Sequence, residues 1–158
     1  MSFVVLEVDA ISPDATLLIR ALDDDLSARY PGAVIQGIEA ARFRRTRGVF
    51  LVGYEDDAPV ACGALRPAAD GVVEVKRMFV MPDARRRGYA RALLAALEAH
   101  ARESGAALIR LETGDEQPEA IRLYEAAGYD RIPCFGEYAG SPHSHCFEKL
   151  LTPIDRIP

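Results

Sequence analysis

Lysine is almost missing from this chain. Of 19 basic residues in 158, only Lys76 and Lys149 are lysines, and the rest are arginines. Acidic residues outnumber the basic ones at 24, leaving a formal net charge of −5. Such a chain lacks the broad positive field by which generic nucleic-acid binders gather phosphates, so no nucleic-acid partner is expected. A local basic site is still compatible with this balance, and the positions of the arginines matter more than their number. Long apolar runs are missing as well. No stretch nears the ~18 residues that would mark a membrane span, so no membrane partner is expected. The N-terminus, MSFVVLEVDAISPDA, has no basic residue ahead of its short apolar run and reads as a first strand, not a signal peptide. Cysteine is scarce. Cys62, Cys134 and Cys146 are an odd set without CxxC spacing, which argues against a disulfide framework and for a reducing, cytoplasmic setting. No repeat, low-complexity tract or long linker divides the sequence, so a single domain over 1–158 is expected.

What is present suits a soluble domain. Hydrophobic residues make up 49% and charged residues 27%, and a chain of this length buries ~70% of its unfolded surface. Residues 3–8 read as a strand. Ser12-Pro13-Asp14 then supplies a cap, an N1 proline and a dipole-matched acid for a helix that Tyr30-Pro31-Gly32 stops. Residues 33–47 are ambiguous, with a short helix over IEAARFRR as one reading. Runs at 48–54, 58–66 and 72–81, separated by turn residues, predict an antiparallel meander. A helix follows from about 88 to 103, a strand at 107–112, a helix at 118–127, and strands near 129–136 and 144–151. The sum is an α+β domain with a mixed, mostly antiparallel sheet of about six to seven strands and about four helices on its faces.

The stretch VEVKRMFVMPDARRRGYARALLAALE, residues 73–98, carries the chemistry. A strand ends at Met81-Pro82, a short loop holds Arg85, Arg86, Arg87 and Gly88, and a helix starts at once with Tyr89 and Ala90. Amides in the first turn of a helix lack intrahelical partners, and the macrodipole adds about half a positive charge there. Gly88 and Ala90 let a ligand approach the backbone, and three guanidinium forks add charge. A pyrophosphate suits such a loop. The pattern is neither a Walker loop nor GxGxxG. The blander reading is a basic helix start that does no more than solvate a surface.

Residues 72–98 resemble motif A of the GNAT superfamily of N-acetyltransferases, with its Gln/Arg-x-x-Gly-x-Gly/Ala pattern. The run Glu112-Thr113-Gly114 and Gln117-Pro118-Glu119-Ala120-Ile121-Arg122-Leu123-Tyr124-Glu125-Ala126-Ala127-Gly128-Tyr129 is similar to the family's motif B. The ending, from Pro133 to Lys149, resembles a bacterial subgroup of small acetyltransferases. Two motifs in the right order and spacing are far more specific than either alone.

The resemblance implies a coenzyme A site and an acetyl-CoA co-substrate, with no metal. The pyrophosphate would sit on amides of Arg85 to Ala90, and the pantetheine arm would run along Met78, Phe79 and Val80. A bulge would splay this central strand from the one at 107–112. An amide near Val80 would stabilise the oxyanion. Glu74, on the same strand and eleven positions before Arg85, would be the general base, directly or through water. By strand alternation it shares a face with Lys76, Met78 and Val80. The alternative for Glu74 is an ion pair with a neighbouring arginine. Tyr124 matches the tyrosine that protonates the leaving thiolate, and the alternative for it is core packing. Gln117 stands where the family often has an asparagine that contacts pantetheine. The expected activity is transfer of the acetyl group to a primary amine of a small-molecule acceptor, by direct attack in a ternary complex. The rivals are a protein (lysine or N-terminal) acetyltransferase and a non-catalytic coenzyme A-binding regulatory module. The residues do not give the oligomeric state; homodimers are frequent in the superfamily, and a homodimer here rests on that analogy alone.

Other residues give weaker signals. His143, His145 and Cys146 invite a zinc reading, but their spacing and the lack of a distant fourth ligand argue against it. The histidines more naturally border the substrate mouth or a turn. A cysteine nucleophile in a ping-pong scheme has no companion His or Asp pattern. Arg42, Arg44, Arg45 and Arg47 read as solvated surface, or as a border of the acceptor or 3′-phosphate site. Arg66 and Arg77 could clamp an acceptor carboxylate.

Overall fold

The structure is a computed structural model, and it describes residues 2–33 and 40–152. Among these residues, seven strands form in chain order: β1 (Phe3–Val8), β2 (Val49–Glu55), β3 (Ala58–Ala69), β4 (Val72–Val80), β5 (Leu108–Gly114), β6 (Asp130–Ile132) and β7 (Ser144–Leu150). Four helices accompany them: α1 (Pro13–Arg29), α2 (Ala40–Arg45), α3 (Tyr89–Glu103) and α4 (Pro118–Ala126). The strands make one sheet in the order β1-β2-β3-β4-β5-β7-β6. Every neighbouring pair is antiparallel except β4 and β5. The mixed sheet and the four helices match the expected α+β class. Part of the short helix expected over IEAARFRR lies outside the described residues, and the rest is α2. Among the described residues, no helix is long and apolar enough to cross a membrane.

Local chemistry explains the elements. Ser12 caps α1, its Oγ accepting from the Ala15 amide at 3.3 Å, with Pro13 in the first turn. Helix α3 buries Leu93, Leu94, Leu97 and Ala101 against Leu51, Leu65, Val73, Val75 and Ile109 of the sheet. The opposite face packs Leu18 and Leu22 of α1 with Phe43 of α2 against Phe50, Val52, Cys62 and Phe79. The strand expected near 129–136 shrinks to β6, because Pro133 has no N–H to extend the ladder. A 3-10 turn follows at Gly136–Tyr138.

Two features of β4 set up the site. It pairs with β5 only at Val72, Val73 and Glu74, opposite Leu108, Ile109 and Arg110. Beyond that point the two strands part, which is the splay the resemblance implied. The second feature is a bulge. Ala64 pairs with Lys76 and Cys62 with Phe79, so Gly63 alone faces both Arg77 and Met78, and Arg77 takes φ +56°. A Cβ at Gly63 would sit 2.9 Å from Leu97 Cδ1 and 3.3 Å from Met78 Sδ, so a larger residue would push these two side-chain ends aside.

Candidate active site

The parting of β4 and β5 opens a cleft of ≈ 1150 Å³. Its walls include Met78, Phe79, Val80, Arg85, Arg86, Gly88, Tyr89, Ala90, Gln117 and Tyr124, all singled out from the sequence. At one end lies the loop before α3. Gly88 is the N-cap residue, with φ +80° and no side-chain cap, and Arg86 is also left-handed at φ +65°. None of the backbone amides of residues 86 to 91 donates a hydrogen bond among the described residues. A Cβ at Gly88 would meet nothing within 4 Å, so the space over this helix start is open. A run of unpartnered amides at a helix N-terminus, under open space and beside arginines, fits a pyrophosphate.

The strand edge fits the pantetheine arm. The Met81 amide donates to the Val60 carbonyl of β3 at 2.8 Å. The Val80 amide, one residue earlier, therefore points to the opposite edge, into the splay. The Val80 carbonyl shares that edge and accepts from Arg85 Nε at 2.9 Å. Gln117 caps the far wall, its Oε1 accepting from the Gly114 amide at 3.3 Å. Arg87 does not line the cleft. Its guanidinium pairs with Glu55, which also accepts from the Tyr89 hydroxyl, and the Tyr89 ring stacks on Phe3 at 3.9 Å. These contacts pin the loop to the sheet.

Tyr124 is 4% exposed, and its hydroxyl has no hydrogen-bond partner among the described residues. Burial, with the nearby Glu112 carboxylate, pushes its pKa above the ordinary tyrosine value. It therefore keeps its proton through the neutral range. Core packing and cleft lining coincide at this residue, since its ring also meets Tyr129 and Phe147.

Glu74 is placed differently from the alternation argument. The bulge reverses the parity of β4, so Glu74 keeps Lys76 on its face, while Met78 and Val80 turn toward α3. Glu74 is 2% exposed and lies outside the cleft wall. Its Oε1 is 2.9 Å from Lys76 Nζ, and its Oε2 accepts from Arg66 at 3.3 Å. Lys76 also donates to the Tyr138 hydroxyl at 2.6 Å. Burial opposes the Lys76 charge, but Tyr138 and Glu74 together hold its pKa above the ordinary lysine value. Arg77 pairs with Asp23 of α1, so neither Arg66 nor Arg77 stands ready to clamp a carboxylate.

Several cleft residues escaped sequence reasoning. Arg29 at the end of α1 donates to the Glu116 carbonyl at 2.8 Å and pairs with Glu119. The Tyr30 hydroxyl accepts from the Glu116 amide at 3.0 Å. These bonds latch α1 to the loop after β5 and roof the splay. A Cβ on Gly114 would collide with the Tyr30 hydroxyl, so this close approach needs glycine. Thr113 is 4% exposed, lines the cleft, and its Oγ1 is one of two buried side-chain polar atoms without a partner among the described residues. Glu112, Tyr138, Ser141 and Ser144 also line the wall. Their signal lay only in a tertiary contact between β5 and a coil segment.

The cysteines differ from expectation, whereas His143 lies in a turn on the cleft wall, as expected of the histidines. Cys134 and Cys146 form a disulfide, against the reading from an odd, unspaced set. The antiparallel register of β6 on β7 sets Ile132 opposite Cys146 and carries Cys134 alongside, which spacing rules do not see. Cys62 is fully buried and its thiol is pushed up to about 12 by desolvation. His143 bonds Asp115 at 2.9 Å, and His145 bonds the other oxygen of the same carboxylate. Among the described residues no group of three or more such side chains is arranged to hold a metal. None of Arg42, Arg44, Arg45 or Arg47 is in the cleft wall, and Arg44 pairs with Asp9 at 3.0 Å.

Known proteins share this fold. A family profile described as the acetyltransferase (GNAT) family matches residues 17–129. An IAA acetyltransferase of Azospirillum brasilense is 38% identical over 136 residues, spanning 85% of this chain and 88% of the relative. The crystal structure of a protein described as an acyl-CoA N-acyltransferase from Klebsiella pneumoniae superposes with TM-score 0.81 and 30% identity, over 95% of this chain and 98% of that one. A GNAT acetyltransferase of Elizabethkingia anophelis, solved with acetyl-CoA bound, shares the fold at TM-score 0.70 and 14% identity, over 94% of this chain and 98% of that one. By its profile match, its relative and its fold, the chain belongs to the GNAT family of acetyltransferases.

Proposed function

We propose that this acetyltransferase moves the acetyl group of acetyl-CoA to a primary amine of a small-molecule acceptor, by direct attack in a ternary complex. The observation that carries this reading is the cleft itself. It runs from the unpartnered amides of residues 86 to 91 to a polar chamber beside Tyr124.

Arg85 to Ala90 hold the pyrophosphate through backbone amides, and the edge of Met78, Phe79 and Val80 holds the pantetheine arm with Gln117 opposite. When bound, acetyl-CoA supplies an activated acetyl thioester. The Val80 amide, aimed into the splay, donates to the oxygen on which charge develops. Tyr124 keeps its phenolic proton at neutral pH and gives it to the departing sulfur. Glu74, the expected base, holds Lys76 against Tyr138, which makes it a positioning residue in this reading. A cysteine relay has no support, since Cys62 is buried with a raised pKa and the other two cysteines are bonded together. The latch from Arg29 and Tyr30 and the segment bearing Tyr138 and Ser141 narrow the chamber, which favours a small acceptor over a peptide chain.

The test is an acceptor panel with acetyl-CoA, scored by thiol release and product mass. It includes alkyl and aromatic amines, amino acids, lysine peptides, N-terminal peptides and IAA, the last because of the relative's name. Turnover confined to small amines is expected. Preference for peptides, or no turnover on any amine, would defeat the proposal.

A further inference from the structure

We infer that Glu112 is the group that takes the proton from the attacking amine, an inference that rests on the acetyl-transfer reading above. Glu112 lies two residues past the last paired position of β5 on β4, where the splay begins. It lines the cleft. Its Oε2 accepts from Ser144 Oγ at 2.7 Å, and no other hydrogen bond or ion pair reaches its side chain among the described residues. One oxygen is thus held in place and the other, Oε1, can accept. Glu74 is the contrasting case, with both oxygens held by cations. Of the two buried or half-buried carboxylates near the mouth of the splay, Glu112 alone has both a seat in the wall and a free lone pair.

The surroundings suit a base for this proton. Within electrostatic reach of Glu112 are Lys76 and Glu74 from β4, Glu137 and Tyr138 from the 3-10 turn, Ser144 from β7, Tyr124 from α4 and Tyr30, the residue that ends α1. Lys76 is already committed to Glu74 and Tyr138. Burial raises the Glu112 pKa first of all, the Ser144 bond and Lys76 pull it back, and the charges of Glu137 and Glu74 raise it further. A carboxylate with a raised pKa is a stronger base than an ordinary one. Glu112 Oε1 takes the proton from nitrogen as the N–C bond forms. Tyr124 gives its phenolic proton to sulfur as the C–S bond breaks. One proton leaves nitrogen and one reaches sulfur, and exchange of the Glu112 acid and Tyr124 phenolate with solvent restores both side chains.

The experiment compares the parent, Glu112→Gln and Ser144→Ala on the best amine from the panel, with kcat followed from pH 5 to 9. Glu112→Gln retains an acceptor for Ser144 and should still show the parent's thermal shift with acetyl-CoA. Its kcat should fall ~10²-fold, and the acidic limb of the kcat profile should disappear. Ser144→Ala removes a hydrogen bond to the ionised form, so it should move that limb to higher pH. Should Glu112→Gln keep both parental kcat and the acidic limb, or Ser144→Ala leave the limb in place, the assignment is overturned. Failure of the parent to acetylate any amine would count against the acetyl-transfer reading instead, and is seen before either variant is made.

Discussion

The ammonium of Lys76 sits 2.9 Å from the carboxylate of Glu74, and this pair separates the duties of the two acids near the splay. Glu74 is sealed and cation-bound, while Glu112 faces the cleft. Replacing Glu74 by Gln leaves Lys76 half-stranded in a buried place. We expect a loss of ~1–3 kcal/mol in chemical denaturation, with the acidic limb of kcat retained. A Glu74→Gln variant of parental stability would show that the ion pair does no structural work.

Tyr124→Phe deletes a hydroxyl that has no hydrogen-bond partner among the described residues, so stability should change little. The kcat should fall ~10²-fold if the phenol supplies the proton to sulfur, with the KM for acetyl-CoA nearly constant. Its raised pKa also means that the parent should keep full acid function well past pH 8. Steady-state kinetics over pH checks both points. Unchanged kcat would return Tyr124 to a packing role.

Cofactor binding should stabilise the folded chain. At a free concentration of 100 Kd the gain is ~2.7 kcal/mol, readable as a shift in Tm. Gly88 should control that gain. Its φ of +80° disfavours a side chain by ~1–2 kcal/mol, yet a Cβ there meets nothing. Gly88→Ala should therefore fold with lower Tm and show a smaller shift with acetyl-CoA. A full-size shift in that variant would place the pyrophosphate elsewhere.

Glu112→Gln should also be the more stable protein at neutral pH. The folded-state pKa of Glu112 is raised, mainly by burial, so ionising it costs folding free energy. That cost is absent below the unfolded carboxyl pKa of ~4.3 and grows as pH rises through the folded value. The Tm of the variant should exceed the parent's at pH 7.5, and the gap should close by about pH 4. A gap of constant size across that range would mean that Glu112 does not titrate abnormally.

Much of this was legible in the residues themselves. The caps and stops at Ser12, Pro13, Gly88, Gly105 and Pro118 are local chemistry, and they located the helices within a residue or two. The loop before α3 was readable for the same reason, since its function lies in backbone amides and one glycine. The splay, and the places of Gln117 and Tyr124 on the wall, came only with the family likeness. Glu112, Tyr30 and Ser144 were not readable, because their meaning depends on which strands part and which loop crosses the gap. The Cys134–Cys146 bond was missed on the same ground, for it follows from strand register. The face assigned to Met78 and Val80 failed at one residue, Arg77, whose left-handed φ has no glycine to announce it.

That residue makes β4 a strand written in two phases. Ahead of it, even-numbered side chains turn away from α3, and behind it they turn toward α3. Removing Arg77 would close the bulge into a regular ladder, with Met78 opposite Gly63 and Phe79 still opposite Cys62, so the flanking side chains would keep their faces. The bend of the bulged strand would go, and with it the ion pair of Arg77 with Asp23 of α1. The extra residue thus serves curvature and an anchor to α1, and the ladder alone seats Phe79 and Val80.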